Sequence, residues 1–341
     1  MYEEHYGFTG RPFQLTPDPE VWFDSATHRK AMAYLGYGLA QGEGFIVITG
    51  EVGAGKTTLI GHLLATIDRQ RLNAVNLVST QLAGDDLLRM VALQLGVAAD
   101  GSDKARLLAE IERALHGVAR TGRRTLLVVD EAQALSTEAV EELRMLSNFT
   151  AGGHALLQIV LLGQPEFRDK LAGTQGLEQL RQRVIATHHL EPMDAAEVEG
   201  YLVHRMQHAG WSGRPRFTAD ACAALHEASG GIPRIINQLA ARALLHGAVE
   251  GLDEIDGDVI EAVVTDQVED MARPIAHAQP RVTDHGATGQ GDPRLERRVA
   301  ELESRLEEQG AALRRVLQLL VDWVDADAQG NADTRRDSAA A

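Results

Sequence analysis

The chain of 341 residues is long enough for two or three domains with sizeable cores. Its 49 acidic against 33 basic residues give a formal net charge of −16, which argues against diffuse attraction to DNA or to an anionic membrane. The one cysteine, Cys222, excludes an internal disulfide framework, suits a reducing compartment and falls in an amphipathic stretch that predicts a buried, inert thiol.

The first stretch, "MYEEHYGFTG", is acidic and aromatic, with no basic or apolar leader pattern, so no secretory signal is expected. From residue 44 to 190 five β-rich runs alternate with helical patterns: 44–50, 73–79, 125–130, 155–163 and 183–190. They are nearly continuously apolar, as strands covered on both faces must be, and this predicts a parallel sheet in an α/β layer fold. Between the third and fourth runs, Ser136 is the expected N-cap of a helix that sets Val140, Leu143 and Leu146 on one face. No apolar run approaches the roughly 20 residues of a membrane span. A cytoplasmic protein is therefore expected, with any membrane contact made through partners.

After residue 190 the strand pattern stops, and four helical patterns predict a small helical domain over 191–272. Residues 273–293, with three Pro and three Gly, predict a flexible linker. Over 294–324 a seam of alternating four- and three-residue spacing runs from Leu295 to Trp323, broken only by Gln309. It predicts a coiled coil of about four heptads that self-associates or binds a helical partner, or else an amphipathic helix docked on its own domain. Residues 325–341 are expected to be disordered.

Chemistry concentrates at three strand ends. "GEVGAGKTTL" follows the first run directly and fits G-x-x-x-x-G-K-[ST]. Gly50, Glu51, Val52, Gly53, Ala54 and Gly55 supply a loop whose backbone N–H groups can wrap phosphates. Lys56 reaches the β and γ oxygens, and Thr57 can ligate Mg²⁺. Thr58 continues a helix start whose dipole favours an anion. In "LLVVDEAQAL", Asp130 at a strand end is the candidate for holding Mg²⁺ through water. Glu131 beside it is the candidate base for the attacking water, which favours hydrolysis over nucleotide binding alone. Gln164 ends the fourth run, where an amide can meet the γ-phosphate or that water. His188 and His189 have no metal-ligand spacing and are expected at a strand end or domain junction.

"GGIPRIINQLA" opens the third helix of the small domain with Pro233 and then Arg234. A cation at a helix N-terminus opposes the helix dipole unless an anion lies beside it. A parallel-sheet NTPase followed by a helical domain with this arginine has the AAA+ arrangement. Arg234 is then the lid's sensor, the anion is ATP, and the cofactors expected are ATP and Mg²⁺. The fold class expected is thus α/β, a AAA+ P-loop NTPase over 1–190 with a helical lid over 191–272 and a C-terminal coiled-coil helix.

The chain resembles, more specifically, the ExeA-like ATPases of the general secretion pathway, and within them the ATPase associated with exosortase and exopolysaccharide loci. The resemblance spans residues 2–270 and rests most on the block from "YGFTGRPFQLTPDPEVWFDSATHRKAMAYLGYGLAQGEGF" into the P-loop, with "EELRMLSNF", "LLGQPEFRDKL" and "LEQLRQRVIATHHL" behind it. It implies ATP hydrolysis, assembly into a ring or filament, and protein partners in an envelope export machine. Family members with a membrane anchor carry a transmembrane helix and a peptidoglycan-binding module in their C-terminal part, and no such pattern follows residue 270 here. The core is also similar to the ATPases that regulate transposition on DNA, which leaves a DNA-associated ATPase as the alternative. In such an assembly Arg183, or Arg181 two residues before it, is the candidate arginine finger offered to the neighbouring subunit's ATP.

Overall fold

The five apolar runs form one parallel sheet. Its strands are β1 (Phe45–Gly50), β2 (Leu72–Val78), β3 (Arg124–Asp130), β4 (Leu157–Gly163) and β5 (Val184–Leu190), in the order β2-β3-β4-β1-β5. The computed structural model describes residues 2–272 except 17, 79–82, 99–102 and 174–176. The expected linker, heptad segment and tail lie outside the described residues. β1 pairs in parallel with both β4 and β5, Phe45 standing opposite Ile159 and Val184. The fourth strand starts later than its apolar run, at Leu157, because His154–Ala155 pairs antiparallel with Thr150–Ala151 in a short hairpin.

Helices on both faces bury the central strands β1, β3 and β4 along nearly their whole length. The expectation of two covered faces fails at the edges, because an edge strand has a neighbour on one side alone. β2 buries Val75 and Leu77 and exposes Ala74, Asn76 and Val78 between and beside them, and β5 is only half-buried. α1 (Tyr2–Tyr6) precedes the core, α2 (Ala26–Gln41) leads into β1, and α3 (Lys56–Thr66) follows it. α4 (Gly84–Gln94), α5 (Lys104–Arg120), α6 (Thr137–Leu146), α7 (Pro165–Gly173) and α8 (Glu178–Arg181) complete the core. Ile46, Ile48, Val128 and Val160 pack with Leu35 of α2 and Leu59 of α3. The alternate residues Phe45, Val47, Val129 and Leu161 pack on the other face with Leu88, Ile111, Leu143 and Phe167 from α4 to α7. Ser136 caps α6 as expected, its hydroxyl accepting from Ala139 N.

The lid is built from α9 (Ala195–His208), α10 (Ala219–Ser229), α11 (Pro233–Glu250) and α12 (Gly257–Ala272). Thr218 caps α10, and Gly230 and Gly251 end α10 and α11 in the left-handed conformation that glycine adopts without penalty. Cys222 is buried here, and burial pushes its thiol up to about 11.

The N-terminal segment is shared between layers. Tyr6, Phe8 and Phe13 join the lid's cluster around Leu202, Met206 and Leu244. Tyr6 donates from its hydroxyl to Leu252 O at 2.9 Å, and Thr9 donates from N to Ala209 O at 2.8 Å. The buried guanidinium of Arg205 donates to Pro12 O at 2.8 Å and Gln14 O at 3.2 Å. The chain then crosses to the core, where Trp22 stacks on His62 of α3 with ring centroids 4.2 Å apart. Phe23 returns to the lid, edge-on to Tyr201 at 5.5 Å. Residues 2–13 thus complete the core of the lid. Phe13→Ala should accordingly destabilise the lid by about 3 kcal/mol, the cost of emptying a buried aromatic site. Hydrogen exchange should show faster exchange in α9 and α11 with the amides of β1, β3 and β4 unchanged.

Candidate nucleotide-binding site

The carboxyl edge of a parallel sheet is open where neighbouring strands send their chains to opposite faces, and β1 and β4 meet there. β1 ends at Gly50 and α3 begins at Lys56, so five residues turn the chain from sheet to helix. Gly53 and Gly55 make that turn with φ of +88° and +97°. A Cβ at Gly53 would lie 2.5 Å from Cβ of Arg234, and one at Gly55 would lie 2.7 Å from His28 Nε2. Both positions therefore require glycine twice over, for backbone and for space. Ala54 N donates to Glu51 O at 3.1 Å and closes the turn.

Lys56 folds back over the loop and donates from Nζ to Gly50 O at 2.7 Å and Glu51 O at 3.0 Å. Burial lowers its pKa, while Glu131, Asp130, Glu51 and Glu166 pull the other way. Thr57 donates from Oγ1 to Asp130 Oδ2 at 2.9 Å. A hydroxyl and a carboxylate converging at the mouth of the loop are the hard oxygen donors that Mg²⁺ takes, so these two residues could hold it.

Glu131 has φ 56° and ψ 40°, the one non-glycine residue with positive φ among the described residues. Its N–H donates to Asp130 Oδ1 at 2.9 Å. Its carboxylate accepts from Gln164 Nε2 at 3.3 Å and from Gln133 Nε2, and Gln164 N donates to Gln133 Oε1 at 3.1 Å. Two amides from different elements therefore fix one carboxylate oxygen. Gln133 is absent from the sequence reading; its signal is a lone amide inside the apolar run "AQAL" two residues beyond the acidic pair.

The lid closes the cleft. Arg234 N donates to Gly53 O at 3.2 Å, so α11 begins against the phosphate loop. Its side chain lines the cleft together with Val52, Lys56, Thr57, Thr58 and Glu131. Trp22, Phe23 and Tyr201 form the far wall, where Tyr201 donates to Asn237 Oδ1 at 2.8 Å.

Lys56, Thr57, Asp130, Glu131, Gln164 and Arg234 are thus brought together, and Arg183 is not. Arg183 precedes β5, with its carbonyl accepting from Phe45 N at 3.0 Å and its guanidinium donating to Ser147 Oγ at 3.1 Å. That is the amino edge of the sheet, about 20 Å from the phosphate loop at about 3.3 Å per residue of β1. Arg181 is occupied differently, its guanidinium on the carbonyls of Leu171 and Ala172 at the end of α7. His188 stacks on Tyr34 with centroids 4.9 Å apart, and His189 Nδ1 lies 3.0 Å from Thr49 Oγ1, so both belong to the end of β5.

A glycine loop between strand and helix, acidic residues at the neighbouring strand end and a helical lid define a AAA+ P-loop NTPase. Residues 39–171 match the AAA domain family. In fold the chain is similar to Drosophila ORC bound to DNA, with a TM-score of 0.57 and 14% identity over 78% of this chain and 66% of that one. It is likewise similar to Cdc6p from Pyrobaculum aerophilum, with a TM-score of 0.54 and 14% identity over 71% of this chain and 67% of that one. General secretion pathway protein A of Aeromonas hydrophila is 38% identical over 262 residues, which are 76% of this chain and 47% of that protein. The chain is an ExeA-like AAA+ protein, and it spans about half the length of that relative. No helix among the described residues is long and apolar enough to cross a membrane.

Proposed function

We propose that this protein binds ATP with Mg²⁺ in the cleft between sheet and lid, hydrolyses it, and uses the cycle to drive or regulate an envelope secretion or exopolysaccharide-export machine. The observation that carries the reading is the convergence of Lys56, the Thr57–Asp130 pair, the Glu131 carboxylate and Arg234 on one cleft. Lys56 and Arg234 bind the phosphates from the two sides. Mg²⁺ on Thr57 and Asp130 would neutralise charge on the β and γ oxygens. Glu131, fixed by Gln133 and Gln164, takes the proton of the attacking water. The name of the Aeromonas relative supports the secretion setting, in which the protein is cytoplasmic and meets the inner membrane through protein partners. The heptad segment over 294–324 offers a further contact for self-association or for a helical partner. A DNA-associated ATPase of the transposition-regulator type is the alternative, and the net charge of −16 argues against it.

The position of Arg183 supports assembly. At the amino edge of its own sheet it serves no site in its own subunit, and in a head-to-tail ring or filament it completes the next one. Arg183→Ala should keep nucleotide affinity and lose turnover on the order of 10³-fold. Mixing Arg183→Ala with Lys56→Ala protein should restore part of the phosphate release, because a Lys56-intact site then meets an Arg183-intact neighbour. Mixed assemblies without recovery would remove the finger in trans, and full activity of Arg183→Ala alone would remove this residue.

A further inference from the structure

One ionisable ring in the cleft is not used by the phosphate chemistry above. His28 stands at the third position of α2, after the N-cap Ser25, and is 6% exposed. Ser25 Oγ accepts from His28 N at 3.3 Å and lies 2.7 Å from His28 Nδ1. Ser25 is fully buried, and among the described residues its hydroxyl has no other acceptor than Nδ1. A buried hydroxyl donates wherever it can. Its proton therefore goes to Nδ1, and the imidazole carries its own proton on Nε2. Burial holds the ring's pKa down at about 4, so it is neutral.

The Nε2–H faces the phosphate loop at Gly55 and has no hydrogen-bond partner among the described residues. Trp22 holds the ring edge-on with centroids 5.0 Å apart, and Trp22 is itself stacked on His62. A histidine kept only for packing would have both nitrogens satisfied or its free one in open water. A helix capped by serine commonly carries Glu or Gln at its third position. A carboxylate there would face the triphosphate, whereas a neutral imidazole offers a donor.

We propose that His28 is a nucleotide-binding residue whose Nε2–H donates to an oxygen in the phosphate–ribose part of the bound nucleotide, with Ser25 as the positioning residue that fixes the tautomer. The proposal rests on the cleft being the nucleotide site, and the test separates the two. ADP affinity is measured for the full chain and for His28→Phe, His28→Gln and Lys56→Ala, with thermal unfolding as a check on folding. His28→Phe, which keeps a ring against Trp22, should weaken ADP about tenfold, the worth of one hydrogen bond to a charged acceptor. His28→Gln, whose amide can replace the Nε2–H, should recover most of the loss. Wild-type affinity in His28→Phe with binding lost in Lys56→Ala would overturn the role of His28 and leave the site intact. Wild-type affinity in Lys56→Ala would overturn the site itself. Equal weakness of Gln and Phe variants would overturn the donor. The ¹⁵N spectrum of the wild-type imidazole needs no variant: it should show the proton on Nε2, with that signal moving on addition of ADP, and a proton on Nδ1 would overturn the proposal.

Discussion

Lys56→Met should unfold at a higher temperature than the wild type in the absence of nucleotide, and should show no further rise on addition of Mg²⁺ and ATP. The ammonium is nearly buried and rests on two carbonyls that lie in the phosphate loop. Burial outweighs the four carboxylates around it and lowers its pKa, so the folded protein holds the charged form less favourably than the unfolded chain does. For a depressed lysine the penalty is present in full below the folded pKa and fades as pH rises through the interval up to the unfolded value. At neutral pH the wild type therefore carries it, and a methionine of similar length does not. On the proposed function, phosphate oxygens would supply the missing counter-charge, so the same lysine should contribute strongly to ATP affinity. Removing it should cost at least 100-fold in binding, about 2.7 kcal/mol or more. Thermal unfolding with and without Mg²⁺ and ATP measures both halves. An ATP-dependent rise retained by Lys56→Met would contradict the argument.

Glu131→Gln should keep wild-type ATP affinity and lose turnover by about 10²–10⁴-fold, the range a positioned general base contributes. The amide has the shape of the carboxylate and leaves the Asp130 Oδ1 contact to the residue 131 N–H in place. It cannot take a proton from water. The test is phosphate release beside equilibrium binding of a fluorescent ATP analogue. Turnover at the wild-type rate would move the base elsewhere, and affinity lost together with turnover would make Glu131 a binding group instead.

The sheet was legible because burial on both faces leaves a strand no polar alternation, and the three central runs, β1, β3 and β4, carry that mark in full. The edge strands β2 and β5 keep exposed polar residues such as Asn76 and Thr187. The lid was legible from punctuation: Thr218, Gly230, Pro233 and Gly251 each have one physical use at a helix end. What was not legible is which layer an aperiodic aromatic segment joins. Tyr6, Phe8 and Phe13 pack with a domain that begins about 180 residues later, and no local pattern in the sequence carries that distance. Gln133 was illegible for a related reason. Its amide turns toward Gln164 only because residues 132–134 form a 3-10 turn, and a run such as "AQAL" reads as ordinary helix until that turn is seen. His28 left a trace in the spacing Ser-x-x-His, but the tautomer that gives it meaning follows from burial of the serine.

The left-handed backbone at residue 131 puts two kinds of selection in opposition. A glutamate there is held about 1–2 kcal/mol above the cost glycine would incur in the same conformation. Selection for thermal stability alone would drift toward Gly or Asn at this position. On the proposed role of Glu131, engineering by heat challenge, without a turnover assay beside it, would recover hardy proteins that lack the proposed base. In a lineage freed from the need to hydrolyse ATP the same drift would run unopposed. On that proposed role, the residue at this one position would mark, readably from a gene, whether a close relative of this chain is still kept for turnover.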